Sequence, residues 1–97
     1  MIPVIISSEA EADLTQAYQW YEEQVEYLGS EFLLCVEACI QSIARSPKIY
    51  QKIHKNIRRA LVRRFPYGIF FIEEANHIRV VAVFHARRDP ATWQNRR

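Results

Sequence analysis

The chain has 97 residues, of which 49% are apolar and 25% are charged. This length suffices for one domain with one hydrophobic core, spanning residues 1–97, and excludes a multidomain protein, while the apolar content excludes intrinsic disorder. The net charge is only +2, but the charges are distributed unevenly along the sequence. Residues 1–44 carry eight acidic and no basic residues, whereas all 13 Lys and Arg residues lie in residues 45–97.

The first half of the chain predicts one strand and two helices. Residues 3–7 are short and rich in Val and Ile, as in a buried strand. Ser8 and Glu11 have the spacing of a capping box, so a helix is expected to begin there and to end at Gly29 in a left-handed cap. A second helix over residues 30–46, capped by Ser30, follows at once, and the short connection predicts an antiparallel helical hairpin.

The second half of the chain predicts three strands. Residues 48–56 are polar and irregular, which indicates a loop. Strands are then predicted at residues 57–65, Tyr67–Glu73 and Ile78–His85, and the last has apolar residues in both alternating positions, as a strand covered on both faces does. A hairpin turn is expected at residues 74–77 with Asn76 at positive φ, and a short helical turn after Asp89.

This element order, β-α-α-β-β-β, predicts an α+β fold in which the helical hairpin packs on a small, mostly antiparallel sheet with the first strand at one edge. The start of the chain does not resemble a signal peptide, and its longest apolar stretches are far too short for a membrane helix. We therefore expect a cytoplasmic protein with no membrane partner.

The residues that can bind metals do not have the spacing of a metal site. They are Cys35, Cys39, His54, His77 and His85. Only the two cysteines are close in sequence, whereas zinc sites usually need two close pairs, so we predict reduced core cysteines and no metal. With two glycines in the chain, a glycine-rich phosphate loop cannot be built, and no cofactor is expected.

The basic segments allow two interpretations. Arg58, Arg59, Arg63 and Arg64, followed by Phe65 and Tyr67, are typical of an RNA-binding strand, and His85 before Arg87 and Arg88 is a conceivable general acid or base. Alternatively, the phenylalanines belong to the core and the arginines flank an edge strand, where charge discourages aggregation. The charge asymmetry itself points to a polyanion or an acidic protein as partner.

Two segments make the chain similar to a known family. They are IRRALVRRFPYGIFF at residues 57–71 and VVAVFHARRDPATW at residues 80–93, preceded by the acidic hairpin and by SIARSP at residues 42–47. With these segments the chain resembles, over nearly its whole length, the RelE/ParE superfamily of toxins from type II toxin-antitoxin systems, and the ParE branch more than the RelE branch. The fold of that family agrees with the predicted element order.

The resemblance implies a choice between two activities. RelE-like toxins are ribosome-dependent mRNA endoribonucleases that often place an arginine just after the tyrosine of this strand, where the present chain has Gly68. ParE-like toxins inhibit DNA gyrase without cleaving RNA. We therefore expect an inhibitor protein rather than an enzyme. The residues expected to contact the target are Arg63, Arg64, His85, Arg87, Arg88 and Trp93.

The alternative, a RelE-like ribonuclease, would use Arg64 or Arg63 to hold phosphate, Tyr67 to stack on a base and His85 to transfer a proton. In either case the resemblance implies a cognate antitoxin as neutralising partner, and contact with operator DNA only through that antitoxin.

Overall fold

The structure, a computed structural model, describes residues 1–88. Its elements are β1 (Val4–Ile6), α1 (Ser8–Gln24), α2 (Leu28–Arg45), a 3₁₀ turn (Pro47–Ile49), β2 (Lys52–His54), β3 (Ile57–Leu61), β4 (Tyr67–Glu73) and β5 (Ile78–His85). The predicted helical turn after Asp89 and the predicted contact residue Trp93 lie outside the described range.

The five strands form one sheet in the order β1-β5-β4-β3-β2. Strand β1 pairs with β5 in parallel, and the other neighbours are antiparallel. The predicted α+β fold is confirmed, including the position of the first strand at a sheet edge. Within residues 1–88, neither helix has the length and apolar character that a bilayer crossing requires.

The sheet buries apolar side chains on both faces. The face toward the helices carries Ile69, Phe71 and Val83, which pack against Phe32 and Ile43 of α2. The opposite face holds a second cluster that includes Ile57, Phe70 and Phe84. Because β4 and β5 are buried on both faces, their sequences read as nearly continuous apolar runs.

Both ends of α1, and the turn that follows it, differ from the prediction. Helix α1 begins one residue earlier than expected, because Ser7 rather than Ser8 caps it and accepts a hydrogen bond from the Ala10 N–H at 3.1 Å. Helix α1 ends at Gln24, and Tyr27, with φ 70°, precedes α2 in the left-handed conformation that was predicted for Gly29.

Ser30 is not the cap of the second helix. The Glu22 carboxylate, from α1, accepts hydrogen bonds from the backbone N–H groups of Tyr27 (2.8 Å) and Gly29 (3.0 Å) and so does the work of a capping side chain. Gly29 lies inside α2, where a Cβ atom would stand 2.7 Å from the Tyr18 carbonyl oxygen. The glycine therefore permits close approach of the two helices.

The segment predicted as a loop contains a 3₁₀ turn and the edge strand β2. This strand has three residues and an irregular register against β3, so no alternating pattern marks it in the sequence. Strand β3 ends at Leu61 instead of continuing to Phe65, because Arg64 adopts φ 71° and turns the chain before Pro66. The turn at residues 74–77 is present, closed by the Glu74 N–H donating to the His77 carbonyl, but without positive φ at Asn76.

Candidate functional site

Five of the six predicted contact residues lie at one end of the sheet, and we call them the basic rim: Arg63, Arg64, His85, Arg87 and Arg88. They are brought together because Leu61 pairs with Gly68 and Tyr67 pairs with His85, so the chain leaves β3 and β5 at the same end. All five residues are exposed to solvent. The sixth, Trp93, lies beyond the residues that the structure describes.

Backbone hydrogen bonds fix the loop between β3 and β4 against the end of β5. The Val62 N–H donates to the Tyr67 carbonyl at 2.9 Å, and the Ala86 N–H donates to the Pro66 carbonyl at 2.8 Å. The left-handed conformation of Arg64 (φ 71°) allows this tight turn. The basic rim therefore stands on a fixed backbone.

An aromatic cluster anchors the loop to the helices. The Phe65 ring lies 4.9 Å from the Tyr21 ring and 5.2 Å from the Phe32 ring, measured between centroids, and Tyr67 lies 5.2 Å from Phe32. Burial raises the pKa of both tyrosines, with a smaller opposing effect of the Arg88 charge on the pKa of Tyr67. Tyr67 is thus a packed, protonated phenol at neutral pH.

His85 borders a cleft of about 250 Å³ between α1 and the end of the sheet, where Asp13, Trp20 and Arg88 also contribute to the walls. The His85 Nδ1 atom accepts a hydrogen bond from the Arg87 N–H at 3.2 Å, which assigns the proton of a neutral ring to Nε2. Asp13 accepts a hydrogen bond from the Val83 N–H at 3.0 Å.

The Arg88 guanidinium lies 4.0 Å from the centroid of the Phe84 ring, a cation–π arrangement. Arg88 is the only arginine that lines this cleft among residues 1–88, and it shares the cleft with the Asp13 carboxylate. A phosphate group here would meet one guanidinium and one acid.

Arg63 and Arg64 belong to a different depression, the α2–β3 groove, with a volume of about 670 Å³. Its walls come from α2 and from the segment after β3, with these lining residues: Leu34, Cys35, Ala38, Cys39, Ser42, Arg45, Tyr50, Leu61, Arg63 and Arg64. Leu34 (66% exposed) and Leu61 (59% exposed) make part of the groove apolar.

Arg64 is held at the mouth of the groove by an ion pair with Glu31 of α2, at 3.0 Å between Nη2 and Oε1. Hydrogen bonding and charge from Glu31 raise the pKa of Arg64, and the Cys35 thiol adds a smaller contribution in the same direction. The structure therefore separates Arg64, on the α2 side, from His85 and Arg88, on the α1 side.

The strand arginines considered for RNA binding have structural contacts. Arg58 donates through Nη1 to the Tyr50 carbonyl at 2.6 Å, and its Nη2 lies 3.8 Å from the Glu73 carboxylate. The aliphatic part of Arg59 packs over Gly68, where a Cβ atom would come within 3.2 Å of the Arg59 Cγ. Phe65, Phe70 and Phe71 are core residues, as the second interpretation expected.

Two features of the site were missed in the sequence. Asp13 of α1 accepts a hydrogen bond from the N–H of Val83, 70 positions further along the chain, a contact that helical periodicity cannot reveal. The α2–β3 groove depends on β3 ending at Leu61, and no local pattern indicates that. Within residues 1–88, no three His, Cys, Asp or Glu side chains cluster as metal ligands.

Comparison with known proteins finds one matching family model and several similar solved structures. The model of the ParE toxin of the type II toxin-antitoxin system parDE matches residues 4–90. Among solved structures, a chain of the chromosomal ParDE TA system from P. aeruginosa superposes with a TM-score of 0.78 and 13% sequence identity, over 88% of this chain and 96% of that chain. A search of curated proteins returned no match. At 13% identity, the structural match is evidence for the fold alone.

Proposed function

This chain belongs to the ParE toxin family of type II toxin-antitoxin systems, and from that membership we propose that it inhibits DNA gyrase by binding, without cleaving RNA. The observation that carries the proposal is the basic rim. It presents four arginines and a histidine on a fixed backbone at one exposed end of the sheet. Such a surface fits a large acidic partner better than it fits a small substrate.

The rim contains charges available for a partner. Within residues 1–88, Arg63 and Arg87 form no ion pair, and both residues are exposed. Free guanidinium groups at the edge of an interface accelerate association with an oppositely charged surface and make it dependent on salt. We therefore assign the first contact with gyrase to Arg63 and Arg87, with Arg64, His85, Arg88 and Trp93 as further contacts.

The ribonuclease alternative has less support. It would need Arg64 to hold phosphate close to His85, whereas Arg64 pairs with Glu31 across the α2–β3 groove and His85 faces the cleft beside α1. Tyr67 lines the cleft beside His85, but its packing against Tyr21 and Phe32 leaves only part of the ring to stack on a base. Gly68 offers no side chain to stabilise the charge of a phosphorane, and one such missing group typically costs about 100-fold or more in rate.

A supercoiling assay with purified gyrase tests the proposal. We expect the full chain to inhibit supercoiling and to leave cleaved DNA. The Arg63→Gln/Arg87→Gln variant should need at least about 10-fold more protein, because two partner-facing charges are lost. Lys52→Gln/Lys55→Gln is the matched control, since it removes the same charge at strand β2 and the following turn, and it should stay within about twofold of the unmodified protein.

One result would contradict the gyrase proposal. If the chain leaves gyrase unaffected and cuts mRNA on translating ribosomes, the gyrase proposal is wrong and the ribonuclease alternative holds.

We also propose that a cognate antitoxin neutralises the chain by occupying the α2–β3 groove. The groove combines exposed Leu34 and Leu61 with Arg45, Arg63 and Arg64, so a fitting partner is amphipathic and acidic. A segment that orders on binding would match both features. Contact of the toxin with operator DNA is then indirect, through the antitoxin.

A growth assay tests the groove. A Leu34→Glu variant should still arrest growth but should resist rescue by the co-expressed cognate antitoxin, because it places a carboxylate against a partner that we propose to be acidic. Gln41→Glu adds the same charge to an exposed position of α2 outside the groove and should be rescued normally. Equal rescue of both variants would place the antitoxin elsewhere.

A further inference from the structure

A patch of exposed apolar and acidic side chains lies at the turn between the two helices. We call it the Trp20 patch, and its members are Trp20, Glu23, Val25, Glu26 and Tyr27. Trp20 is 55% exposed, Val25 59% and Tyr27 67%. Single exposed apolar residues are common, but several large ones within residues 20–27, interspersed with acids, are typical of a surface that contacts another macromolecule.

The Trp20 patch adjoins the basic rim. Trp20 lines the cleft of about 250 Å³ together with His85 and Arg88, which are both rim residues. The Trp20 ring also lies 5.1 Å from the Tyr21 ring, and Tyr21 lies 4.9 Å from Phe65, in the loop that carries the first two rim arginines. An acidic and a basic surface therefore lie next to each other at one end of the molecule.

Both surfaces hold charges without a counter-charge in the same molecule. No ion pair within residues 1–88 includes Glu23, Glu26, Arg63 or Arg87, and all four of these residues are exposed. The last turn of α1 contains Glu23 but no basic residue, although the negative end of the helix dipole favours a cation there. The Trp20 patch therefore favours a cationic partner, and the rim favours an anionic one.

We propose that a second copy of the chain supplies both charges, and that two copies associate about a twofold axis with the Trp20 patch of each on the basic rim of the other. Two adjoining surfaces of opposite charge are self-complementary about such an axis, because every contact is made twice. Glu23 and Glu26 of one copy then face Arg63 and Arg87 of the other. The two Trp20 side chains lie near the axis, since Trp20 is where the patch and the rim meet.

The second copy is favoured because it matches both surfaces at once. A partner of one sign would satisfy either the acidic patch or the basic rim, and would leave the other surface unmatched. A second copy carries both signs, in the same adjacent positions. Exposed Trp20 adds the apolar contact that charges alone do not provide.

The association should be weak and dependent on salt. The patch and the described part of the rim together contain ten residues, against about 20–30 a side in a standard interface. Exposed charges are also screened by salt. The pair would hide the rim, so self-association would compete with gyrase. Only this consequence depends on the gyrase proposal, and the association itself does not.

Sedimentation equilibrium of the purified full chain tests the association without gyrase or antitoxin. At about 50 mM NaCl, the mass should rise with protein concentration from one chain to two chains and no further. At about 500 mM NaCl, the dissociation constant should be at least about 10-fold larger, because the Debye length falls from about 14 Å to about 4 Å.

A charge exchange tests which surfaces meet. Glu23→Lys/Glu26→Lys and Arg63→Glu/Arg87→Glu should each be monomeric, because each variant places like charges against each other in both halves of the pair. An equimolar mixture of the two variants should form a dimer, because opposite charges then meet in both halves. Circular dichroism verifies that both variants are folded.

Controls separate the position of the charges from net charge. Glu9→Lys/Glu37→Lys changes the net charge equally at exposed positions outside the patch, and should keep the dissociation constant within about threefold. Mixed with Arg63→Glu/Arg87→Glu, this control should associate at least about 10-fold more weakly than the exchanged pair, because opposite charges meet in only one half. Trp20→Ser, which keeps every charge, should weaken the dimer at least about 10-fold.

Four results would overturn the inference: a mass of one chain at every concentration in low salt, a dimer that persists in both charge-reversal variants, a mixture of these variants that stays monomeric, or growth beyond two chains. Failure of the gyrase or antitoxin assays would leave these measurements unaffected.

Discussion

Gly29 shows how one residue sets the distance between the helices. Its Cα faces the Tyr18 carbonyl oxygen and ring, and an added methyl group would lie 2.7–2.9 Å from them. We predict that Gly29→Ala destabilises the protein by about 1–3 kcal/mol in urea unfolding, because overpacking outweighs the gain of about 1 kcal/mol in helix propensity.

Ser30→Ala is the control for this prediction, one position further along the same helix. Ser30 is exposed and caps nothing, so the change should stay within about 0.5 kcal/mol. A stabilised Gly29→Ala variant would contradict the close approach described above, and a cost of about 1 kcal/mol for Ser30→Ala would restore the cap predicted from the sequence.

The sequence marks this corner only in part. A glycine followed by a serine is a common boundary between helices, and a boundary lies within a few residues of it. The structure accommodates only glycine at position 29 without a clash, because α2 packs closely on Tyr18, 11 positions earlier. The capping group is the Glu22 carboxylate on the other helix. Local capping rules cannot anticipate a cap that comes from tertiary structure.

At the scale of elements, Arg58 ties strand β3 to the segment before β2. Its guanidinium donates to the Tyr50 carbonyl at 2.6 Å. We predict that Arg58→Met costs about 1–3 kcal/mol, because the carbonyl loses a charged donor while the aliphatic stem is kept. Hydrogen exchange of the Arg59 N–H, which bonds the Gln51 carbonyl at 3.2 Å, should accelerate.

Lys52→Ala is the comparison, because Lys52 is an exposed basic residue of the paired strand β2. This change should leave the exchange rate of the Arg59 N–H nearly unaltered. Equal acceleration in both variants would mean that strand pairing, and not the Arg58 side chain, holds this segment.

Elements with strong patterns were predictable, and short ones were not. Strands β4 and β5 were located by their long apolar runs, with the predicted bounds Tyr67–Glu73 and Ile78–His85. Strand β2 has one apolar residue, Ile53, that packs on the core, so periodicity has nothing to detect. The early end of β3 depends on the backbone conformation of Arg64, which residue type does not encode.

For the whole molecule, alkaline pH should weaken folding through Cys39. Burial raises the pKa of this thiol from 9.0 to about 11, so between these values the unfolded chain releases a proton that the folded chain keeps. Stability is therefore fully present below pH 9 and falls as pH rises to 11. With allowance for partial exposure of the group, we predict a loss of about 1–2 kcal/mol.

Cys39→Ala isolates this contribution, because alanine cannot titrate. The difference in unfolding free energy between the two proteins, measured in urea from pH 8 to 11, should shift in favour of the variant as pH rises. A difference that does not change with pH would contradict the raised pKa of Cys39.

At this scale the candidate site was predictable as a region but not as an arrangement. The basic segments after β3 and β5 lie at the same end of the sheet, because antiparallel pairing with β4 brings their ends together. His85 and Arg88 line a cleft beside α1, whereas Arg63 and Arg64 line a groove beside α2. This separation depends on where the helices cross the sheet. Helix placement is a tertiary property, and the amphipathic pattern alone does not fix it.

The parallel pairing of β1 with β5 also has a consequence for biosynthesis. Val4 lies beside Ile78, so during translation β1 must wait for β5 before the two strands can pair. A nascent chain consequently cannot complete this sheet until Ile78–His85 has been translated. A premature stop codon before Ile78 would remove β5 and would leave β1 without a strand to pair with.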